Sequence, residues 1–204
     1  MPKQTRLANN ICHDGYHVID NFLHPHHYHA LRETIQNLHN NGHCKLAKIG
    51  NSQEKNHNAT IRNDHIVWID KQEGNDAIAG YFTEIEALCK TLNQSLFLGL
   101  IDYEAHFAVY QPNSFYKKHV DQFATTQDRR ISCVYYLNEG WQQEFGGELV
   151  LYDTKDQPLT QIMPLGNRFI CFNSDLPHEV CTAYQTRYSI AAWLKVRPIG
   201  YVNY

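Results

Sequence analysis

His119 and Asp121 stand two residues apart in Tyr116-Lys-Lys-His-Val-Asp121, the single His-x-Asp of the chain. On a strand, side chains at i and i+2 project to one face. An imidazole and a carboxylate then converge on one point. A second imidazole, His178, would complete a set of three. Two histidines and a carboxylate on one face of a metal suit Fe(II) and leave the opposite positions open. Taken by itself, a His-x-Asp is as readily a pair of surface residues.

Nine residues after His178 comes Arg187, opening Arg187-Tyr-Ser-Ile-Ala-Ala-Trp193. On a strand, one face of this stretch carries Arg187, Ser189, Ala191 and Trp193. The other, Tyr188, Ile190, Ala192, Leu194 and Val196, is a plain core face. A buried charge is costly unless paired, and the small neighbours leave room for a partner. The planar guanidinium fork matches a carboxylate. A dicarboxylate would fit, with one end on Arg187 and the other on the metal. The bland alternative is an arginine at a strand start reaching solvent. The spacing across Ala183-Tyr-Gln-Thr186 reads as a hairpin that sets Arg187 on the strand beside that of His178. Tyr136 would add a phenol near the guanidinium, and Tyr110 and Tyr116 are placed to line the cavity mouth.

Strands must position these groups. From Asp102 onward short alternating stretches recur: 103–110, 115–121, 131–138, 148–153, 159–163, 168–173, 178–182 and 187–196. They are separated by turns such as Gln111-Pro-Asn113 and Pro164-Leu-Gly-Asn167. Eight such strands indicate a sandwich or barrel. Before them, Gly15–Asp20 and Ile66–Ile69 read as strands. His24–Asn40 is a helix carrying Tyr28, Leu31, Ile35 and Leu38 on one stripe. Asp76–Leu92 is a second, with Ile78, Phe82, Ile85, Leu88 and Leu92. His24, His26, His27 and His29 fall mostly off the stripe, as a solvated helix start would. Residues 42–60 are polar and read as a loop long enough to be functional. The class is α+β with a jelly-roll core: helical support over about 1–100 and strands over about 101–196 of one domain.

A chain of 204 residues can bury a sizeable core. A net charge of −3 gives no basic footprint for nucleic acid. There is no apolar run long enough to span a membrane, and the N-terminus lacks the apolar stretch of a signal peptide. The six cysteines are scattered, with no Cys-x-x-Cys. Cys133 and Cys171 sit in apolar runs as small core residues. The simplest expectation is a cytoplasmic protein with reduced thiols.

Several stretches together resemble the prolyl hydroxylases among the 2-oxoglutarate/Fe(II) dioxygenases, the hypoxia-sensing type and its bacterial relatives. They are Tyr110–Asp121, Cys133-Val-Tyr-Tyr-Leu-Asn138, Gly146-Gly-Glu-Leu149, Pro177-His-Glu-Val180 and Arg187–Trp193, in order and spacing. Arg62-Asn-Asp-His-Ile-Val-Trp68 resembles the segment that follows the family's mobile substrate loop. The likeness spans roughly residues 60–196. It implies a double-stranded β-helix (cupin-like jelly roll) with supporting N-terminal helices. It implies that His119, Asp121 and His178 bind Fe(II), and that Arg187 and Tyr136 hold the distal carboxylate of 2-oxoglutarate. Tyr110 and Tyr116 would line the pocket, and Trp193 would pack behind the second metal-binding histidine. Arg62, Asp64 and Arg129 would lie near the substrate. The cosubstrates implied are 2-oxoglutarate and O2, with ascorbate (vitamin C) as a reductant. Halogenating relatives replace the carboxylate with a small residue, so Asp121 implies hydroxylation. The stretch Tyr110–Tyr116 is about one residue shorter than in the hypoxia-sensing type, so the substrate-facing rim is expected to differ.

The expected substrate is a proline in a protein or peptide, of which elongation factor Tu is the kind of target implied, acted on by a monomer. Two alternatives stand beside it. One is the same chemistry on a free amino acid or another small molecule. The other is a non-catalytic β-barrel that binds metal.

Overall fold

The computed structural model describes residues 3–47, 58–71 and 74–198. Eleven strands among these residues form two sheets. The larger contains β1 (Tyr16–Asp20), β2 (Lys45–Leu46), β3 (His65–Trp68), β4 (Asp102–Tyr110), β6 (Arg129–Tyr136), β9 (Arg168–Asn173) and β11 (Arg187–Lys195). Its spatial order is β1-β9-β6-β11-β4-β3-β2. The smaller is β5-β10-β7-β8, from β5 (Ser114–His119), β7 (Leu149–Tyr152), β8 (Pro158–Ile162) and β10 (His178–Ala183). All pairings are antiparallel. This is the expected jelly roll, a double-stranded β-helix with helices on one side.

The alternation along β4 and β11 explains the two layers of core. Phe107, Val109, Ile190, Ala192 and Leu194 point one way and join a cluster with the helices. Ala108 and Tyr110 point the other way and pack with Leu149, Leu151 and Val180 of the small sheet. The large sheet is therefore covered on both faces, which a one-residue register slip would invert.

Three helices cover its outer face: α1 (Lys3–His13), α2 (Pro25–Asn40) and α3 (Asp76–Leu96). α2 and α3 follow the expected stripes, with Leu31, Ile35, Ile85 and Leu92 fully buried. Each such side chain contributes about 1.5–3 kcal/mol relative to exposure. Asn75 caps α3, its side chain accepting from the Ala77 and Ile78 amides at 2.9 and 3.2 Å. His24 caps α2, accepting from the His26 amide ahead of Pro25. His26 and His29 are exposed and His27 packs against Gly80, so the histidines are a helix start, as read.

The structure departs from the sequence reading in four places. α1 was not expected; it buries Leu7, Ala8 and Ile11, a short stripe inside a polar stretch. Of the polar stretch 42–60, residues 48–57 lie outside the described residues, and Lys45–Leu46 forms a short strand against β3. β5 ends at His119, so Asp121 follows the strand instead of sitting on it. Most consequential, β10 and β11 are not neighbours. The link 184–186 crosses between sheets, and β11 pairs with β4 and β6. Among the described residues no helix is long and apolar enough to cross a membrane.

Candidate metal and cosubstrate site

The β5–β10 register sets His178 directly opposite His119. Their rings lie 4.2 Å apart, centroid to centroid. Asp121 reaches both from the turn beyond β5: Oδ1 is 3.5 Å from His119 Nε2 and Oδ2 is 3.4 Å from His178 Nε2. Each imidazole is held by its other nitrogen. His119 Nδ1 donates to the Lys117 carbonyl at 2.8 Å and His178 Nδ1 to the Leu176 carbonyl at 2.9 Å. That fixes the tautomer and aims both Nε2 lone pairs at the carboxylate, as ligating histidines require. Among the described residues these three form the group of donors close enough to share a metal ion.

Electrostatics agree with that geometry. Burial pushes the His119 pKa down, and the neighbouring imidazole adds to this. Burial also acts to lower His178, but the Asp121 carboxylate outweighs it and leaves the pKa raised. Burial alone would raise Asp121; the two imidazoles outweigh it and hold the carboxyl well below its usual range. A carboxylate kept ionised between two imidazoles is a ready site for a cation.

Two aromatic rings fix the histidines. Tyr116 stacks on His119 at 3.6 Å, with Arg62 over its other face at 4.2 Å. The ring meeting His178 is Phe172, edge-on at 4.8 Å. The sequence reading gave that place to Trp193. Trp193 instead packs against His106, with Arg129 stacked over it at 3.8 Å. Phe172 was legible only through the register, since it sits on β9 in the opposite sheet.

His119, Asp121 and His178 all line a cavity of about 810 Å³, within the range of small-molecule sites. Arg187 lines it too, from the start of β11, and is 1% exposed. Its one hydrogen-bond partner among the described residues is Ser189 Oγ, 3.1 Å from Nη1, and no carboxylate pairs with it. The guanidinium lies 4.8 Å from the Tyr110 ring and 5.0 Å from that of Tyr136. The Tyr136 hydroxyl is buried with no acceptor for its proton; burial raises the phenol pKa, and the nearby Arg187, which acts to lower it, does not outweigh that. A buried fork and a buried hydroxyl donor, both short of acceptors, fit the carboxylate end of 2-oxoglutarate. The Gly147 position is needed here: a Cβ there would press on Arg187 Cδ at 3.0 Å.

The residues expected at the substrate side divide. Arg62 and Arg129 line the cavity. Asp64 is fully buried and away from its wall; it holds Arg62 in a two-point pair at 2.7 and 2.6 Å. Burial opposes the Arg62 charge, but Asp64 outweighs it and raises the pKa. Arg129 is paired with Glu104 at 2.6 Å. Glu104 and His106 were missed. They alternate with Ala108 and Tyr110 on the cavity face of β4, a period-two signal that was available.

Comparisons with known proteins place this geometry. Residues 105–195 match the family described as the 2OG-Fe(II) oxygenase superfamily. The crystal structure of a Pseudomonas putida prolyl-4-hydroxylase is similar at 32% identity and TM-score 0.85, covering 96% of this chain and all of that one. A Trichoplax adhaerens prolyl hydroxylase, in complex with a peptide fragment of the hypoxia inducible factor oxygen degradation domain, gives TM-score 0.85 at 27% identity. That alignment covers 94% of this chain and 88% of the other. The hypoxia-inducible factor prolyl hydroxylase of Caenorhabditis elegans is 31% identical over 88% of this chain; the chain spans 26% of its length. The chain belongs to the 2-oxoglutarate/Fe(II) oxygenases, and within them to the prolyl hydroxylase family. That family works with Fe(II), 2-oxoglutarate and O2.

Proposed function

We propose that this protein is a 2-oxoglutarate- and Fe(II)-dependent prolyl hydroxylase acting on a proline within a protein or peptide. The observation that carries the reading is one cavity holding both the His119–Asp121–His178 set and the acceptor-poor Arg187 fork. His119, Asp121 and His178 hold the metal. Arg187 and Tyr136 hold the distal carboxylate of the cosubstrate, and Tyr110 closes the wall beside them. When bound, the iron centre supplies oxidative decarboxylation of 2-oxoglutarate coupled to hydroxylation. The chain's own residues orient the reactants and exclude water. Tyr116 and Phe172 lock the imidazoles, Trp193 and Tyr110 supply apolar walls, and Arg62 and Arg129 face the substrate.

Similarity to an enzyme solved with a peptide fragment supports a peptide substrate. The exposed Leu46, Trp68 and Val120 on the cavity rim give an extended chain apolar contacts. Elongation factor Tu is the first protein to try. The protein acts as a single-domain cytoplasmic monomer in this reading, in keeping with six free cysteines. The test incubates enzyme, Fe(II), 2-oxoglutarate and ascorbate with candidate proteins and with free proline, followed by mass spectrometry. A one-oxygen mass gain on a prolyl residue of a protein is expected. A gain on free proline alone would overturn the peptide reading.

A further inference from the structure

Asp121 lies beyond the end of β5, so the strand that aims His119 does not aim the carboxylate. Something else must hold it. Its amide and that of Gln122 both donate to the Ser174 carbonyl, at 3.1 and 3.0 Å. Its own carbonyl accepts from Arg129 Nη1 at 3.4 Å. The carboxylate itself is gripped by Ser132, whose Oγ lies 2.7 Å from Oδ2. Ser132 Oγ is also 2.9 Å from Ser174 Oγ. Both serines are 1% exposed; Ser132 is on β6 and Ser174 directly follows its neighbour β9.

The direction of this chain follows from proton counting. A carboxylate only accepts, so Ser132 spends its one hydroxyl proton on Asp121. Its link to Ser174 must then run the other way, with Ser174 donating to the Ser132 oxygen. The result is a one-way relay, Ser174 to Ser132 to Asp121 Oδ2, ending in a charge-assisted bond. Each donor in the relay is strengthened by the one behind it. Oδ2 is thereby engaged, and Oδ1 is the oxygen left free on the His119 side.

We propose that Ser132, backed by Ser174, is a positioning residue that presents Asp121 to the metal by Oδ1. This rests on the metal-site reading above. It assigns a task to two buried hydroxyls that the cosubstrate site does not use. It also explains how a ligand in a turn is held as firmly as one on a strand. Outer-shell partners of this kind typically change metal affinity by about 10- to 100-fold when removed.

The experiment uses Co(II) as the probe, with affinity read by competition against a chelating dye and geometry read from the visible absorption band. The variants are Ser132→Ala, Ser174→Ala and the equal-volume pair Ser132→Thr and Ser132→Val. Expected is a loss of about 10- to 100-fold in Co(II) affinity for Ala and Val at position 132. The absorption band should shift with it as the carboxylate reorients. Thr keeps the donor and should stay near wild type, and Ser174→Ala should fall between. Equal affinity and spectrum in Thr and Val would overturn the proposal, since only packing would then matter at this position. His119→Ala serves as the control for the underlying reading. If it binds Co(II) as wild type does, the metal site lies elsewhere and the failure is of that reading.

Discussion

Replacing Arg187 tests the cosubstrate site most sharply. The side chain is 1% exposed and lacks a carboxylate partner among the described residues. A bound dicarboxylate would therefore form its main charge pair in a desolvated setting. Truncating one member of such a pair costs about 2–5 kcal/mol. At about 1.4 kcal/mol per tenfold, Arg187→Ala should weaken 2-oxoglutarate by roughly 30- to 3,000-fold. Arg187→Lys keeps the charge but loses the fork and should fall at the low end. The assay titrates 2-oxoglutarate and pyruvate, anaerobically, against Fe(II)-loaded wild type and both variants. Pyruvate lacks the distal carboxylate and should lose far less between wild type and Ala. Thermal melts give an independent reading: ligand at 100 times its Kd stabilises wild type by about 2.7 kcal/mol, and the same concentration should stabilise the Ala variant by about 0.9 kcal/mol at most. Equal 2-oxoglutarate affinity in wild type and Arg187→Ala would refute the reasoning, because the fork could not then be the anchor.

His119→Ala and Asp121→Ala should each abolish Fe(II)-dependent succinate formation while circular dichroism reports an intact fold; normal turnover in both would sink the ligand set. Metal binding should weaken on acidification, because protons compete for His178, whose pKa is held above its ordinary value by Asp121. A pH series of Co(II) titrations checks this, and affinity that rises towards low pH would contradict it. His106 is buried and its pKa is pushed down to about 4, mainly by burial and further by Arg62. The unfolded chain protonates near 6.5, so folding stability should fall as pH drops from there towards 4, by on the order of 2–3 kcal/mol. His106→Leu should flatten that slope in denaturant melts, and an unchanged slope would count against it. Gly166→Ala would drive a Cβ into the Asn138 carbonyl and the Tyr28 hydroxyl; a loss of about 3 kcal/mol or more is expected from urea unfolding.

Much of this was legible because strands announce themselves by alternation. The faces of β11 were readable residue by residue, and Arg187, Ser189, Ala191 and Trp193 do share the cavity wall. The convergence of His119, Asp121 and His178 was readable from one His-x-Asp and one later histidine. What failed was anything that depends on which sheet a strand joins. A short turn between β10 and β11 looks the same whether it closes a hairpin or crosses a sandwich. The placing of Trp193 behind His178 came from the family resemblance instead, and Phe172 takes that position from the opposite sheet. Asp64 was expected near the substrate from the resemblance alone, and a buried carboxylate that anchors an arginine looks the same in sequence as one that faces a ligand. Ser132 gave no signal at all; a serine in an apolar strand reads as filler until its partner is seen.

The crossover between β10 and β11 has a metrical consequence. His119 and His178 belong to the small sheet and Arg187 to the large one. The separation of the His119–His178 pair from the Arg187 guanidinium is therefore not fixed by the pitch of any strand. It is the gap between two layers, kept apart by the side chains of Leu149, Leu151, Val180 and Phe172. Under the proposed function, the sandwich acts as a gauge block for keto-diacid length. A keto-diacid long enough to reach from one layer to the other would be favoured over shorter and longer ones. Trimming Val180 or Leu149 should then change which chain length is accepted, although neither residue has any polar atom to offer a ligand.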